Sequence, residues 1–249
     1  MKKIIDTNSY FTKIYEYNNK KFVRHIKRKG TKHYPRTLNP RQINNLLKNT
    51  DINYPKLLRN RFKYYDEEYL EPTKDISSLS RLEIMEYVKK AICILYDIDI
   101  NDKIRYVKWK NNQEFLTFQI DNFKKSLTKS KDKLNLFENS IKNINFIASN
   151  NRKLTVIHSD IHQNNMIINN DKLYLIDWEL CTIGDLAYEL ATHFILMDYT
   201  SKEKDEFINY ISNRLKLNKD VLYSDINTYI EFELIRRKVL KGNTKNNYH

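Results

Sequence analysis

Residues Leu154-Thr155-Val156-Ile157-His158-Ser159-Asp160-Ile161-His162-Gln163-Asn164-Asn165 open the stretch that decides how this chain is read. It continues as Met166-Ile167-Ile168-Asn169-Asn170-Asp171-Lys172-Leu173-Tyr174-Leu175-Ile176-Asp177-Trp178-Glu179 and ends in Gly184-Asp185-Leu186-Ala187-Tyr188-Glu189-Leu190-Ala191. A short apolar run stops at His158, and a polar loop follows. Met166 to Ile168, a turn at Asn169-Asn170-Asp171, and Leu173 to Ile176 then read as strand, turn, strand. Antiparallel strands bring their open ends together. Asn165, just before the first strand, and Asp177, just after the second, are therefore expected side by side.

That pairing carries chemistry. An amide oxygen and a carboxylate at one point are hard ligands of the kind Mg²⁺ accepts, with phosphate and water filling its other positions. Asp160 lies on the same loop near such a metal without being required to bind it, as suits a base or orienter for an attacking hydroxyl. The residues His158, Asp160 and His162 also permit a zinc or hydrolase metal site, but no further cluster of His or Cys accompanies them. Asp185, ahead of Leu186, Leu190, Phe194 and Met197 at helical spacing, reads as a helix N-cap. Trp178 and His193 read as packing residues.

The pattern His158-x-Asp160-x4-Asn165, with the hairpin and then Asp177-Trp178-Glu179 and Gly184-Asp185, resembles the aminoglycoside phosphotransferase and choline kinase family of the protein-kinase-like fold. The resemblance implies Asp160 as catalytic base, Asn165 and Asp177 as Mg²⁺ ligands, His158 as a structural loop histidine, and ATP, or GTP, as phosphoryl donor. It departs from protein kinases at Trp178-Glu179, where they carry Phe-Gly, and at Ser159, where they usually carry Arg.

The same resemblance asks the first strands for a phosphate-covering loop and a cation. Thr7-Asn8-Ser9 is the candidate loop, although it has no glycine. Arg24, in Phe22-Val23-Arg24-His25-Ile26-Lys27, is the candidate cation. Strand alternation puts Arg24 and Ile26 on one face and Val23, His25 and Lys27 on the other, so Lys27 competes with it. The acid that protein kinases place on the next helix is missing from Pro40 to Asn49. Glu67 to Leu70 is the expected hinge against the nucleotide base.

Tyr10 to Tyr17 and Lys21 to Lys27 read as a hairpin about Asn18-Asn19-Lys20, and Phe62 to Leu70 as another strand. A short helix is expected after Pro40. Beyond Pro72 the period becomes helical. Ser80-Arg81-Leu82-Glu83 is a capping box, with Ile84, Val88, Ala91, Ile92 and Leu95 behind it. Further helices are expected within Lys133 to Ser149, Lys202 to Leu215 and Asp225 to Leu240. The fold class expected is α+β and two-lobed: a small β-rich nucleotide lobe over 1–70 and a larger helical catalytic and substrate lobe over 71–249.

The 249 residues are 41% hydrophobic, enough for a real core. The longest apolar run, Ala91 to Tyr96, is far short of a membrane span, and Met1 to Asp6 is no signal sequence. A soluble, cytoplasmic protein with no membrane contact is the expectation. Cys93 and Cys181 form no metal or disulfide pattern. The net charge of +13 is dispersed along the chain, so nucleic acid is not the expected partner. The function expected is ATP-dependent phosphorylation of a small-molecule hydroxyl, with an aminoglycoside-like antibiotic as lead substrate. Choline- or sugar-type kinases and a catalytically silent nucleotide-binding homologue are the alternatives. A cationic substrate would need acids, for which Glu179, Asp198, Glu231 and Glu233 are the candidates.

Overall fold

A computed structural model describes residues 3–6, 10–27, 38–100 and 107–241. The chain packs as two units. Met1–Tyr106 joins Val156–Ile183 in the first; Val107–Thr155 joins Gly184–His249 in the second. The boundary expected at residues 70/71 falls inside the first unit.

The first unit is built on a five-stranded antiparallel sheet. Its strands are β1 (Lys3–Asp6), β2 (Tyr10–Tyr17), β3 (Lys20–Lys27), β4 (Leu57–Asn60) and β5 (Tyr64–Glu68), in the order β1-β2-β3-β5-β4. Asn18 and Asn19 turn β2 into β3 with φ of 49° and 58°. A two-residue turn matched to strand twist needs two such left-handed residues, and asparagine tolerates them. The strand expected over Phe62 to Leu70 is instead β5 alone. β4 precedes it, and Phe62 sits in the turn between them. That turn has no Gly, Pro or Asn at its centre, so the sequence did not mark it.

Helix α1 (Pro40–Leu47) starts at a capping box. The Asn39 side chain accepts from the Arg41 and Gln42 backbone N–H groups at 3.1 Å each, and Gln42 Oε1 accepts from Asn39 N at 2.9 Å. Pro40 at its first position lacks only an N–H that has no helical partner there. Helix α2 (Arg81–Asp97) begins at the expected box. Ser80 Oγ accepts from Glu83 N, and Glu83 Oε2 accepts from Ser80 N at 2.8 Å. Its face of Ile84, Val88, Ala91, Ile92 and Leu95 is buried. β6 (Thr155–Ile157), the hairpin of β7 (Met166–Asn169) and β8 (Lys172–Leu175), and β9 (Thr182–Gly184) complete the strands; β9 pairs with β6.

The second unit is helical: α3 (Asn112–Ser126), α4 (Lys131–Ile141), α5 (Leu186–Met197), α6 (Ser201–Leu215) and α7 (Lys219–Lys241). Phe123, Leu127, Phe137, Phe232 and Val239 form one core cluster, with Phe123 edge-on to Phe137 at 4.9 Å. α3 was not foreseen, although Asn111 caps it through Glu114 N. The helix expected within Lys133 to Ser149 is α4, which ends at Ile141. Asn112 Nδ2 donates to the carbonyls of Ser149 and Arg152 at 2.9 and 3.1 Å, which ties that segment down as loop.

A buried ion cluster locks this unit. Arg152 grips Asp185 through two hydrogen bonds of 2.8 Å and Asp225 through one of 2.6 Å, while Tyr229 donates to Asp185 at 3.1 Å. Asp185 caps α5 as expected, accepting from Ala187 N at 2.9 Å. Its second oxygen and the arginine were not legible as a pair, because residues 152 and 185 meet only in the fold.

Candidate active site

All the groups that matter here belong to the first unit. The β7–β8 hairpin pairs Met166 with Leu175. One step outward, Ile176 N donates to the Asn165 carbonyl at 3.0 Å. Asn165 and the Ile176-Asp177 strand end are thus adjacent, as the hairpin argument requires. The β7–β8 turn itself uses Asn170 and Asp171, both left-handed.

Asp160 and Asn165 close the polar loop on itself. Asn165 Nδ2 donates to the Asp160 carbonyl at 2.9 Å and to its Oδ2 at 2.8 Å. With Nδ2 engaged, Oδ1 is the atom Asn165 has to offer a cation. His162 Nε2 lies 3.5 Å from the same Asp160 Oδ2. His162 Nδ1 accepts from Asn164 N, so its ring proton is directed at the carboxylate. Burial acts to raise the Asp160 carboxyl. The hydrogen bond from His162, the nearby His158 ring and the Asn165 amide outweigh it, and the carboxyl is held below its ordinary range.

Asp177 is the opposite case. Burial pushes its carboxyl up, the charges of Asp160 and Glu67 add to this, and His25 pulls back. A buried carboxylate with two acids nearby is one that a cation would relieve. Its backbone is left-handed, with φ 59° and ψ 58°. That conformation is tolerated by Asp and Asn and is a local cost typical of sites where aim matters. The donor set of Asn165 and Asp177 fits Mg²⁺ completed by phosphate oxygens. Among the described residues no group of three or more His, Cys, Asp or Glu could hold a metal ion alone.

His158 is no metal ligand in this arrangement. It is fully buried, its Nε2–H donates to the Ile176 carbonyl at 3.0 Å, and its ring packs on Trp178 at 4.5 Å. Burial pushes its pKa down to about 4. It is a neutral strut that ties the polar loop to the strand carrying Asp177. Trp178, buried, donates to the Leu175 carbonyl.

A cavity runs from the hairpin to the sheet. Thr12, Ile14, Val23 and His25 line it from β2 and β3. The Glu67–Leu70 segment lines it where a hinge was expected, and Asn165, Asp177 and Glu179 line it from the hairpin side. Arg24 is not among the lining residues. It points to the other sheet face, where Asp66 accepts from it at 2.7 and 2.9 Å and the Tyr64 ring lies 4.2 Å away. The acid missing from α1 is thus replaced, for Arg24, by one on β5. The β3 residue with a basic ring on the cavity face is His25, within 3.1 Å of Glu67 Oε2 and stacked on Tyr65 at 4.4 Å. The candidate loop Thr7-Asn8-Ser9 lies outside the described residues, and so does the side chain of Lys27. Of the acids weighed for a cationic substrate, Glu179 lines the cavity, Glu231 is exposed, and Glu233 is buried against Arg236 at 2.7 Å.

The model of the phosphotransferase enzyme family matches residues 108–222. A protein LicA homolog of Metamycoplasma hominis is 27% identical over 66% of this chain; the match spans 62% of that relative's length. Macrolide 2'-phosphotransferase type I has a similar structure, with a TM-score of 0.65 at 14% identity, over 91% of this chain and 80% of the other. So does choline kinase LicA from Streptococcus pneumoniae, with 0.58 at 20% identity, over 96% of this chain and 91% of the other. The α+β, protein-kinase-like fold class follows from these similarities.

Proposed function

We propose that the chain is an ATP-dependent kinase phosphorylating the hydroxyl of a small amino alcohol of the choline type. The observation that carries this reading is that Asn165 and Asp177 line one cavity, with Asp160 held by the Asn165 side chain. Asp160 would accept a hydrogen bond from the acceptor hydroxyl and take its proton as the oxygen bonds to the γ-phosphorus and the bond to ADP breaks. Its lowered pKa keeps it ionised for that role. Asn165 Oδ1 and the Asp177 carboxylate would hold Mg²⁺, which when bound neutralises phosphate charge. His162 and Asn165 keep the Asp160 carboxylate aimed.

Glu67 to Leu70 would meet the nucleotide base, as the hinge. His25 faces the cavity from β3, so this reading gives it the phosphate contact for which Arg24 was the first candidate and Lys27 the second. Thr7, Asn8 and Ser9 stay the proposed phosphate loop, and GTP the alternative donor. In the same reading, residues 1–70 form the nucleotide lobe, 71–249 the catalytic and substrate lobe, and the protein works in the cytoplasm.

The choline-type acceptor is preferred to the aminoglycoside lead because LicA homologs stand among the sequence relatives and a choline kinase named LicA stands among the similar structures. The acids beside the cavity suit a small cation, even in a chain of net charge +13, since local fields decide such contacts. The reading is tested by thermal melting with MgATP, MgGTP and nucleotide in EDTA. A protein that binds nucleotide only when folded melts higher in its presence. Asp177→Asn, which keeps the left-handed backbone, should lose the magnesium-dependent part. No shift in the wild type at several-fold excess nucleotide would sink the reading.

A further inference from the structure

The β7–β8 hairpin is a pair of four-residue strands, and Asn165 and Asp177 lie just beyond its open end. A two-stranded hairpin is marginally stable by itself. Here both of its outer edges are occupied. On the β8 edge, Leu175 N donates to the Asn53 carbonyl at 3.0 Å, and Asn53 Nδ2 donates to the Leu173 carbonyl at 3.1 Å. On the β7 edge, the Ile168 carbonyl accepts from Thr73 N at 2.8 Å and from Thr73 Oγ1 at 3.3 Å. Asn170 N donates back to the same hydroxyl at 3.1 Å, and Asn169 Nδ2 donates to the Glu71 carbonyl at 2.8 Å.

Asn53 and Thr73 bracket one stretch of chain. Asn53 leads into β4, and Thr73 follows Glu67 to Leu70, the segment that lines the cavity. The two ends of that stretch thus grip the hairpin from opposite sides. Asn53 is itself held in place. Ile52 and Pro55 on either side of it are buried, and the Tyr54 hydroxyl donates to the Asn44 carbonyl of α1 at 3.2 Å.

Satisfying backbone polar groups accounts for the bond to the Asn53 carbonyl, which any residue could supply. It does not account for the side chain. Leu173 is half-buried, and a carbonyl within reach of water needs no protein donor. The Asn53 amide stands where the N–H of a third strand would, and so fixes where β8 lies along its length. Thr73 does the same for β7 with a hydroxyl that both donates and accepts. A slip of one residue moves a strand by about 3.4 Å, and a misplacement of about 1 Å is enough to spoil an aligned site.

We propose that Asn53 is a positioning residue for the metal pair, with Thr73 its counterpart on the other edge. Resting on the kinase reading, in which the nucleotide base meets Glu67 to Leu70 and Mg²⁺ meets Asn165 and Asp177, the clamp sets the spacing of these two ends to suit one nucleotide. Neither Asn53 nor Thr73 lines the cavity, so each acts through the hairpin.

The test is calorimetry of ATP with magnesium and of ATP in EDTA, on wild type, Asn53→Ala, Thr73→Val and Thr73→Ser, with the melting temperature of each. Wild type should gain affinity from magnesium. Asn53→Ala should lower that gain about fivefold and Thr73→Val about threefold, as expected for lost hydrogen bonds, while ATP in EDTA binds as to wild type. Thr73→Ser, which keeps the hydroxyl, should match wild type. Residues that only stabilise the fold would lower the melting temperature and leave the magnesium gain intact in both Asn53→Ala and Thr73→Val. That result, or a loss shared equally by the two titrations, overturns the proposal and leaves the kinase reading standing. Should Asn53→Ala not fold, Thr73→Val, at an exposed position, decides alone. A wild type that gains nothing from magnesium overturns the metal pair and the clamp together.

Discussion

Lowering the pH should unfasten the polar loop through His158 before it affects most of the molecule. The ring is fully buried, donates through Nε2 to the Ile176 carbonyl, and has no acceptor for a second proton at Nδ1 among the described residues. Burial brings its pKa from the ordinary 6.5 to about 4. The unfolded chain therefore takes up the proton first. The stability this group contributes is complete above pH 6.5 and is lost as the pH falls toward the folded value. At about 1.4 kcal/mol per pH unit, the whole window is worth about 3 kcal/mol. Other groups titrate in the same range, so the measurement is a difference. Urea unfolding of wild type and His158→Gln would be followed from pH 7.5 to pH 4. Glutamine keeps a donor for the Ile176 carbonyl and does not titrate. The variant should start less stable, and wild type should then lose up to about 3 kcal/mol more than it does. Parallel stability curves would refute the argument that His158 is held neutral in the fold.

Three further outcomes follow from the geometry. Arg152→Met should cost about 3–5 kcal/mol in urea unfolding, since it strands the buried carboxylates of Asp185 and Asp225; adding Asp185→Asn should recover part of that loss. Arg24→Met should reduce stability by about 1–3 kcal/mol through the unpaired Asp66 and leave MgATP affinity, measured by calorimetry, unchanged. His25→Ala should weaken MgATP about tenfold in the same experiment, the loss of one charge-assisted hydrogen bond.

The polar loop from His158 to Asn165 was legible because its logic is local. A hairpin of known register brings its two flanking residues together whatever surrounds it, so Asn165 and Asp177, twelve positions apart, were placed side by side from the sequence. Caps were legible for the same reason: Ser80 with Glu83 and Asp185 with Ala187 are contacts within one turn. Alternation along β3 did separate Arg24 from His25. It did not say which face held the cavity, because that depends on how the sheet meets the hairpin. The missed features are those made by distant residues or by unmarked turns. Arg24 pairs with Asp66, and Arg152 with Asp185 and Asp225, across dozens of positions. β4 escaped notice because Phe62 and Lys63 carry none of the usual turn chemistry.

In the proposed kinase, Asp160 serves phosphoryl transfer to a small hydroxyl acceptor. The direct measurement is transfer of labelled γ-phosphate from ATP to choline, ethanolamine and kanamycin by wild type and Asp160→Asn, with nucleotide affinity measured beside it. Wild type should give a phosphorylated choline-type product. The variant's rate should be lower by about 10²- to 10⁴-fold, with MgATP affinity unchanged. Wild-type transfer that Asp160→Asn leaves intact, or nucleotide binding with no transfer to any hydroxyl acceptor, would contradict it.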